Sequence, residues 1–211
     1  MAQKFTMKKL AMLLAVASTL SASAAVFAQE SPWLVRIRAV QLSPDNKSDQ
    51  VGGTGASDRL SINSKTIPEV DISYFFTPNW STELILTYPQ KQDVRLDGNS
   101  IGSFKHLPPT LLAQYHFMPN EKISPYVGAG INYTRISNVQ LLDGAARLES
   151  HSFGGALQAG VDIKIDRHWL VNFDIKKVQI RSDVYSTTNG SKLSAVRIDP
   201  WLIGVGVGYR F

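Results

Sequence analysis

The chain has 211 residues and no Cys, with 22 Lys and Arg against 17 Asp and Glu, a formal charge of +5. Without Cys there is neither a disulfide scaffold nor a thiolate metal centre. Residues 1–28 carry Lys4, Lys8 and Lys9 and no acid, so the rest of the chain keeps only +2 of that +5, and nucleic-acid binding loses most of its support.

Those three Lys precede an apolar run from Leu10 to Leu20, and Val26-Phe27-Ala28 places small or apolar residues where a signal peptidase reads. Residues 1–28 are read as a secretory signal cut after Ala28, and 29–211 as the mature domain. A membrane anchor is the weaker reading, because an apolar region of about a dozen residues is short for a span of ~30 Å. No later stretch reaches 18 consecutive apolar residues.

Eight segments then alternate with a period of two, the signature of strands. Residues 33–42 put Trp33, Val35, Ile37 and Ala39 on one face and Arg36 and Arg38 on the other. Residues 67–77 set Val70, Ile72, Tyr74 and Phe76 against Glu69, Asp71 and Ser73, and 80–89 set Trp80, Leu84, Leu86 and Tyr88 against Ser81 and Glu83. Residues 107–117, 125–136, 152–165 and 169–180 repeat the pattern, with Gln114, Asn132, Asp162 and Asp174 among their polar faces. The last segment ends in Trp201, Ile203, Val205, Val207, Tyr209 and Phe211, with Gly204, Gly206, Gly208 and Arg210 between them. Eleven residues at ~3.3 Å each, tilted by ~40°, rise about 25–28 Å, the height of an outer-membrane apolar band.

The connections alternate too. Residues 77–79, 118–124 and 166–168 are short, whereas 43–66, 90–106, 137–151 and 181–195 are long and polar, as periplasmic turns and extracellular loops are. Trp33, Phe76, Trp80, Phe117, Trp169, Tyr209 and Phe211 fall at the short-turn ends, and Tyr88, Tyr133, Phe153 and Trp201 toward the long-loop ends. Two aromatic girdles and an uncharged apolar face predict an all-β, eight-stranded antiparallel transmembrane up-and-down β-barrel in the outer membrane of a Gram-negative bacterium. A soluble eight-stranded barrel shares the period and stays open at this point.

Several runs carry a resemblance. His106-Leu107-Pro108-Pro109-Thr110 with Ala113-Gln114-Tyr115, the stretch from Pro125 through Gly128, Gly130, Asn132 and Tyr133 to Thr134, and Asp199-Pro200-Trp201 with Gly206 to Phe211 resemble the outer membrane protein W (OmpW) family. The resemblance covers essentially the mature chain. It implies an eight-stranded outer-membrane barrel with a hydrophobic channel for small apolar molecules, a lateral exit near a proline of the third strand, and a terminal aromatic, Phe211, for the barrel-assembly machinery.

The polar face has a division of its own. Arg36, Arg38, Lys164, Lys176 and Arg210 balance Glu69, Asp71, Glu83, Asp162 and Asp174, and five of each sign are expected to pair across the lumen and close it to ions. Toward the long loops the inner positions turn apolar, and Val40, Leu42, Ile67, Leu112, Ile198 and Leu202 are the expected lining of a mouth for small hydrophobic molecules. An apolar mouth over a charged floor requires a sideways exit into outer-membrane lipid. Pro89, read as pointing inward, and Pro108 and Pro109 across the next loop lack ladder donors and mark the expected site. Prolines that merely end strands at the rim, and apolar residues that merely pack under loops, are the plainer readings.

Catalysis has little support. His106 and His151 share loops with Ser103, Ser150, Asp97 and Asp143, but these are ordinary loop residues. Gly52-Gly53-Thr54-Gly55 lacks a following Lys-Ser/Thr, the Asp45–Asp58 acids lack calcium-loop spacing, and no zinc pattern or other cofactor signature exists. A structural or surface-interaction barrel without transport is the competing function.

Overall fold

The computed structural model describes residues 31–211. The expected secretory signal and its cleavage point lie outside the described residues.

Eight antiparallel strands form the barrel: β1 (Trp33–Ser43), β2 (Lys65–Phe75), β3 (Trp80–Leu86), β4 (Thr110–His116), β5 (Ile123–Leu141), β6 (His151–Lys164), β7 (Trp169–Val178) and β8 (Trp201–Arg210). Each pairs with the next, and β8 returns to β1 from Leu34–Arg210 to Ser43–Trp201. The sheet is closed, which is what lipid demands of a spanning sheet, because no water there can satisfy a free edge. Three tight turns join strands at the end that holds Trp33 and Phe211. In the last of them the Asp166 carboxylate accepts from the backbone N–H of both Trp169 and His168 at 2.8 Å, and these bonds hold it below the usual carboxylate range.

The outer face is apolar throughout the band, with Ile37, Val70, Leu84, Leu111, Ile131, Leu157, Phe173 and Val205 all exposed. The two aromatic rows stand where expected. At the turn end they interlock edge to face, Trp33 on Tyr74 at 4.9 Å and Trp169 on Tyr209 at 5.0 Å.

Inside, the lumen is layered. Leu34, Phe75 and Leu170 fill the turn end. Above them lies a buried ionic layer. The Arg36 guanidinium donates to Glu83 (2.8 Å), Ser73 (2.9 Å) and Asp162 (2.5 Å), and Arg38 reaches Glu83 and Asp174, both at 3.1 Å, as well as Asp71 and Glu69. Lys176 closes the top of the layer on Glu69 and on Asp174 at 2.9 Å. Three cations from two strands thereby tie carboxylates of β2, β3, β6 and β7 across the lumen.

The expected five-to-five pairing is not what forms. Lys164 donates to the Pro119 carbonyl at 2.6 Å in the turn, and Arg210 lies 4.1 Å over the Phe75 ring. Strand parity places both inward, but they sit at the rim, where a long side chain reaches out of the layer. Amides add donors to the layer: Gln114 and Gln158 donate to Glu83 at 2.8 and 2.9 Å, and Gln158 also donates to Asp174 at 2.7 Å.

The glycines of β8 belong to this layer. A Cβ on Gly206 would stand 2.1 Å from the Ile37 carbonyl oxygen and 2.7 Å from Cγ of Arg38, and one on Gly208 would meet Cγ of Arg36 at 3.1 Å. At Gly206 and Gly208 the inner side of β8 is bare because the two arginines of β1 fold across it.

Two outcomes follow from this packing. Arg38→Ala leaves four buried carboxylates short of a cation, so it should lower unfolding stability by about 3–5 kcal/mol, read as a fall in the urea midpoint in lipid vesicles. Val205→Arg, on the lipid face, should lower it by about 2–4 kcal/mol if Val205 sits near the bilayer midplane; an unchanged midpoint would contradict the outward placement.

Candidate functional site

Above the ionic layer the lumen becomes apolar, and it continues well past the membrane. The expected long polar loops are mostly strand. Gln90–Leu96 pairs with Asn99–Leu107, Arg181–Ser186 pairs with Lys192–Arg197, and β5 runs on to Leu141, so the wall extends beyond the girdle. Short strands Leu60–Ile62 and Ala146–Leu148 add to its edges. These hairpins are polar outside and carry Leu60, Ile62, Val94, Phe104, Leu141, Val184 and Val196 inside. The sequence reading missed all seven. Its signal was an alternation diluted by Gln90 and Gln92 on the inner face.

All six expected mouth residues are buried in one apolar cluster with these side chains: Val40, Leu42, Ile67, Leu112, Ile198 and Leu202 are each no more than 8% exposed. Two enclosed spaces lie within it. The upper, about 50 Å³, is bounded by side chains of the hairpins, apolar apart from Ser182 and Ser194, and by Ile198. The lower, about 20 Å³, lies between Leu42, Ile67, Leu202, Ile85, Thr87 and Pro108, with Glu69 and Lys176 of the ionic layer as its floor. Val40 and Leu112 pack in the cluster without bordering either space.

The lower space backs onto a seam. The β2–β3 ladder stops at Val70–Leu86, although β2 continues to Lys65. Above that point, side chains provide the bridges: Thr87 Oγ1 donates to the Pro68 carbonyl at 2.9 Å, and Lys65 Nζ to the Lys91 carbonyl at 3.4 Å. In a strand a residue's N–H and C=O point to the same side, so the Pro68 nitrogen, which has no hydrogen, also faces the seam. Next to it the β3–β4 ladder breaks between Ile85–Thr110 and Gln90–His106.

Pro89 lies in that break, but it is exposed rather than inward. Residues 87–89 shift the alternation by one: Ser81, Glu83 and Ile85 face in below them, and Gln90, Gln92 and Val94 above. Pro108 and Pro109 are tied to β5, their carbonyls accepting from Asn132 Nδ2 at 3.2 Å and that of Pro109 also from the Tyr133 N–H at 3.1 Å. They border the interruption but do not open toward β5. Pro68 was read simply as part of a strand; a proline inside an alternating run is itself the sign of an unpaired edge.

The histidines are scattered. His106 is buried in the extended wall, while the His151 ring lies beside the Ser150 hydroxyl at 3.0 Å on the exposed surface. His116 is in the barrel, within 3.2 Å of Ser81. Among the described residues no group of three His, Asp or Glu is placed to hold a metal ion.

Comparison with known proteins agrees with this architecture. The OmpW family signature matches residues 29–211. Outer membrane protein W of Escherichia coli K12 is 36% identical, the match covering 97% of this chain and all of that protein. The dibenzothiophene metabolism operon protein PahQ of Pseudomonas aeruginosa is 28% identical over 88% of this chain and 91% of that one. The crystal structure of the outer membrane protein OprG from Pseudomonas aeruginosa superposes with a TM-score of 0.74 at 27% identity, covering 86% of this chain and 97% of OprG. With a closed eight-stranded barrel, two aromatic girdles and a family match across the whole of residues 29–211, the chain belongs to the OmpW family of Gram-negative outer-membrane proteins.

Proposed function

We propose that the barrel is a passive conduit for small hydrophobic molecules, which enter between the extracellular hairpins and leave sideways into the membrane. The observation that carries this reading is the stacking of an apolar chamber directly on an ionic floor, with the interrupted wall at the level where the two meet. A straight path is blocked, since an apolar solute crossing the Arg36–Arg38 layer would have to displace buried ion pairs. Sideways, the barrier is lower: beside the lower space the β2–β3 contact depends on Thr87 and Lys65 side chains, and Pro68 and Pro89 offer no donor there. A relative named for a dibenzothiophene metabolism operon fits a solute class of this polarity. In the same reading, the exposed terminal Phe211, stacked edge to face on Tyr209 at 5.1 Å, is the handle for the barrel-assembly machinery.

The competing reading, a structural or surface-interaction barrel without transport, draws on the small volume of the upper space and on the ladders that hold its hairpins together. Transport requires the chamber to widen as solute enters. Uptake of naphthalene by cells lacking their own family member separates the two. Leu42→Arg or Leu202→Arg should cut uptake several-fold while the barrel still assembles, as should Pro68→Val with Pro89→Val, which returns two donors to the interrupted wall. Wild-type cells that gain no uptake over the deletion strain would favour the structural reading.

A further inference from the structure

Beside the apolar chamber lies a buried polar group that the conduit reading does not use. Gln90 and His106 stand opposite each other in the hairpin of the extended wall, and Gln92 stands opposite Phe104. All three polar side chains are fully buried. They are also short of partners: both ring nitrogens of His106, both amide atoms of Gln92 and Oε1 of Gln90 make no hydrogen bond. Gln90 Nε2 is committed to the Thr87 hydroxyl at 3.3 Å and the Tyr88 carbonyl at 3.0 Å, which leaves its oxygen free.

Their position is specific. By strand alternation they share an inner face with Val94 and Phe104, which bound the upper space, while Thr87, hydrogen-bonded to Gln90, bounds the lower one. None of the three borders either space, but the group is set between side chains that border the upper one and a hydrogen-bond partner that borders the lower one. Buried amides without partners are costly, and an apolar side chain at any of these positions would pack at no such cost.

The chemistry of the set is equally definite. Burial, with the Lys65 charge adding to it, lowers the His106 imidazole to about 4, so at neutral pH the ring has one donor and one acceptor. Gln92 adds a donor and an acceptor, and Gln90 an acceptor. Such a mixed, uncharged set suits a group that both donates and accepts, and gives no advantage to a carboxylate over a hydroxyl.

Resting on the conduit reading, we propose that Gln90, Gln92 and His106 form a hydrogen-bonding station at the neck of the route, which takes the hydroxyl of a neutral, otherwise apolar solute. The solute class is thereby narrowed from plain hydrocarbons to apolar bodies with one neutral polar group, alcohols and phenols above all.

The test uses naphthalene and 1-naphthol, which share a ring system and differ by one hydroxyl, titrated into the full barrel in lipid nanodiscs with nitrogen-15 side-chain signals recorded. The expected result is that 1-naphthol shifts the Gln92 amide and His106 ring signals and naphthalene does not. In Gln92→Leu, 1-naphthol should bind roughly fivefold more weakly, the worth of about one net hydrogen bond, with naphthalene unchanged. The wild-type titration stands whether or not the variant assembles. Equal binding of the two compounds with unmoved Gln92 and His106 signals would mean that water alone fills the station, and would overturn the proposal; so would binding of neither. Station binding of 1-naphthol without uptake of either compound by cells would instead overturn the conduit and leave the station standing.

Discussion

A bilayer core offers no hydrogen bonds, so each backbone N–H and C=O within it must find its partner in the sheet. That constraint explains both the closure of β8 on β1 and the place where the wall is permitted to fail. Within the band the β1–β8, β1–β2, β5–β6 and β7–β8 ladders run without a break. Interruptions come together at the upper part of β2, β3 and β4, close to the extracellular girdle. There Thr87 supplies a donor where Pro68 presents only a carbonyl, a local repair that is easier to break than a ladder.

The lumen follows a second constraint, that of filling a narrow barrel. Charge occupies the middle because three long cations from β1 and β7 can cross the lumen to carboxylates on other strands, and β8 has glycine at Gly206 and Gly208 to let them pass. Above this layer the chain changes chemistry abruptly. Leu42 follows Arg38 by four residues, Ile67 precedes Glu69 by two on the antiparallel β2, and Val178 follows Lys176 by two. The step from charge to hydrocarbon coincides with the interrupted wall, and that coincidence is the physical basis of the proposed sideways route.

Much of this was legible in the sequence where lipid enforced it. The eight strands, both girdles and the inward burial of Val40, Leu42, Ile67, Leu112, Ile198 and Leu202 follow from a period of two imposed by lipid outside and packing inside. Outside the membrane the outer faces of the hairpins are polar against water and Gln90 and Gln92 dilute the inner one, so Gln90–Leu96 and Arg181–Ser186 looked like polar loops. Parity also misled at particular residues. Pro89 was counted inward because the one-residue shift at 87–89 has no mark in the pattern, and Lys164 and Arg210 were counted into the ionic layer although their reach carries them to the rim. Pro68 was visible as a proline in a strand, and its meaning depended on which edge it faced.

The most direct test of the route is the position of a dissolved apolar compound inside the protein. With methyl-labelled barrel in bilayers, magnetisation transfer from naphthalene protons should reach Ile198 in the mouth and Ile67 and Ile85 behind the seam, all of which are 5% exposed or less. Transfer to these three together with Val70 and Leu84 on the adjoining outer face is the predicted result. Transfer confined to the lipid-facing methyls, with Ile67, Ile85 and Ile198 silent, would contradict a path through the chamber.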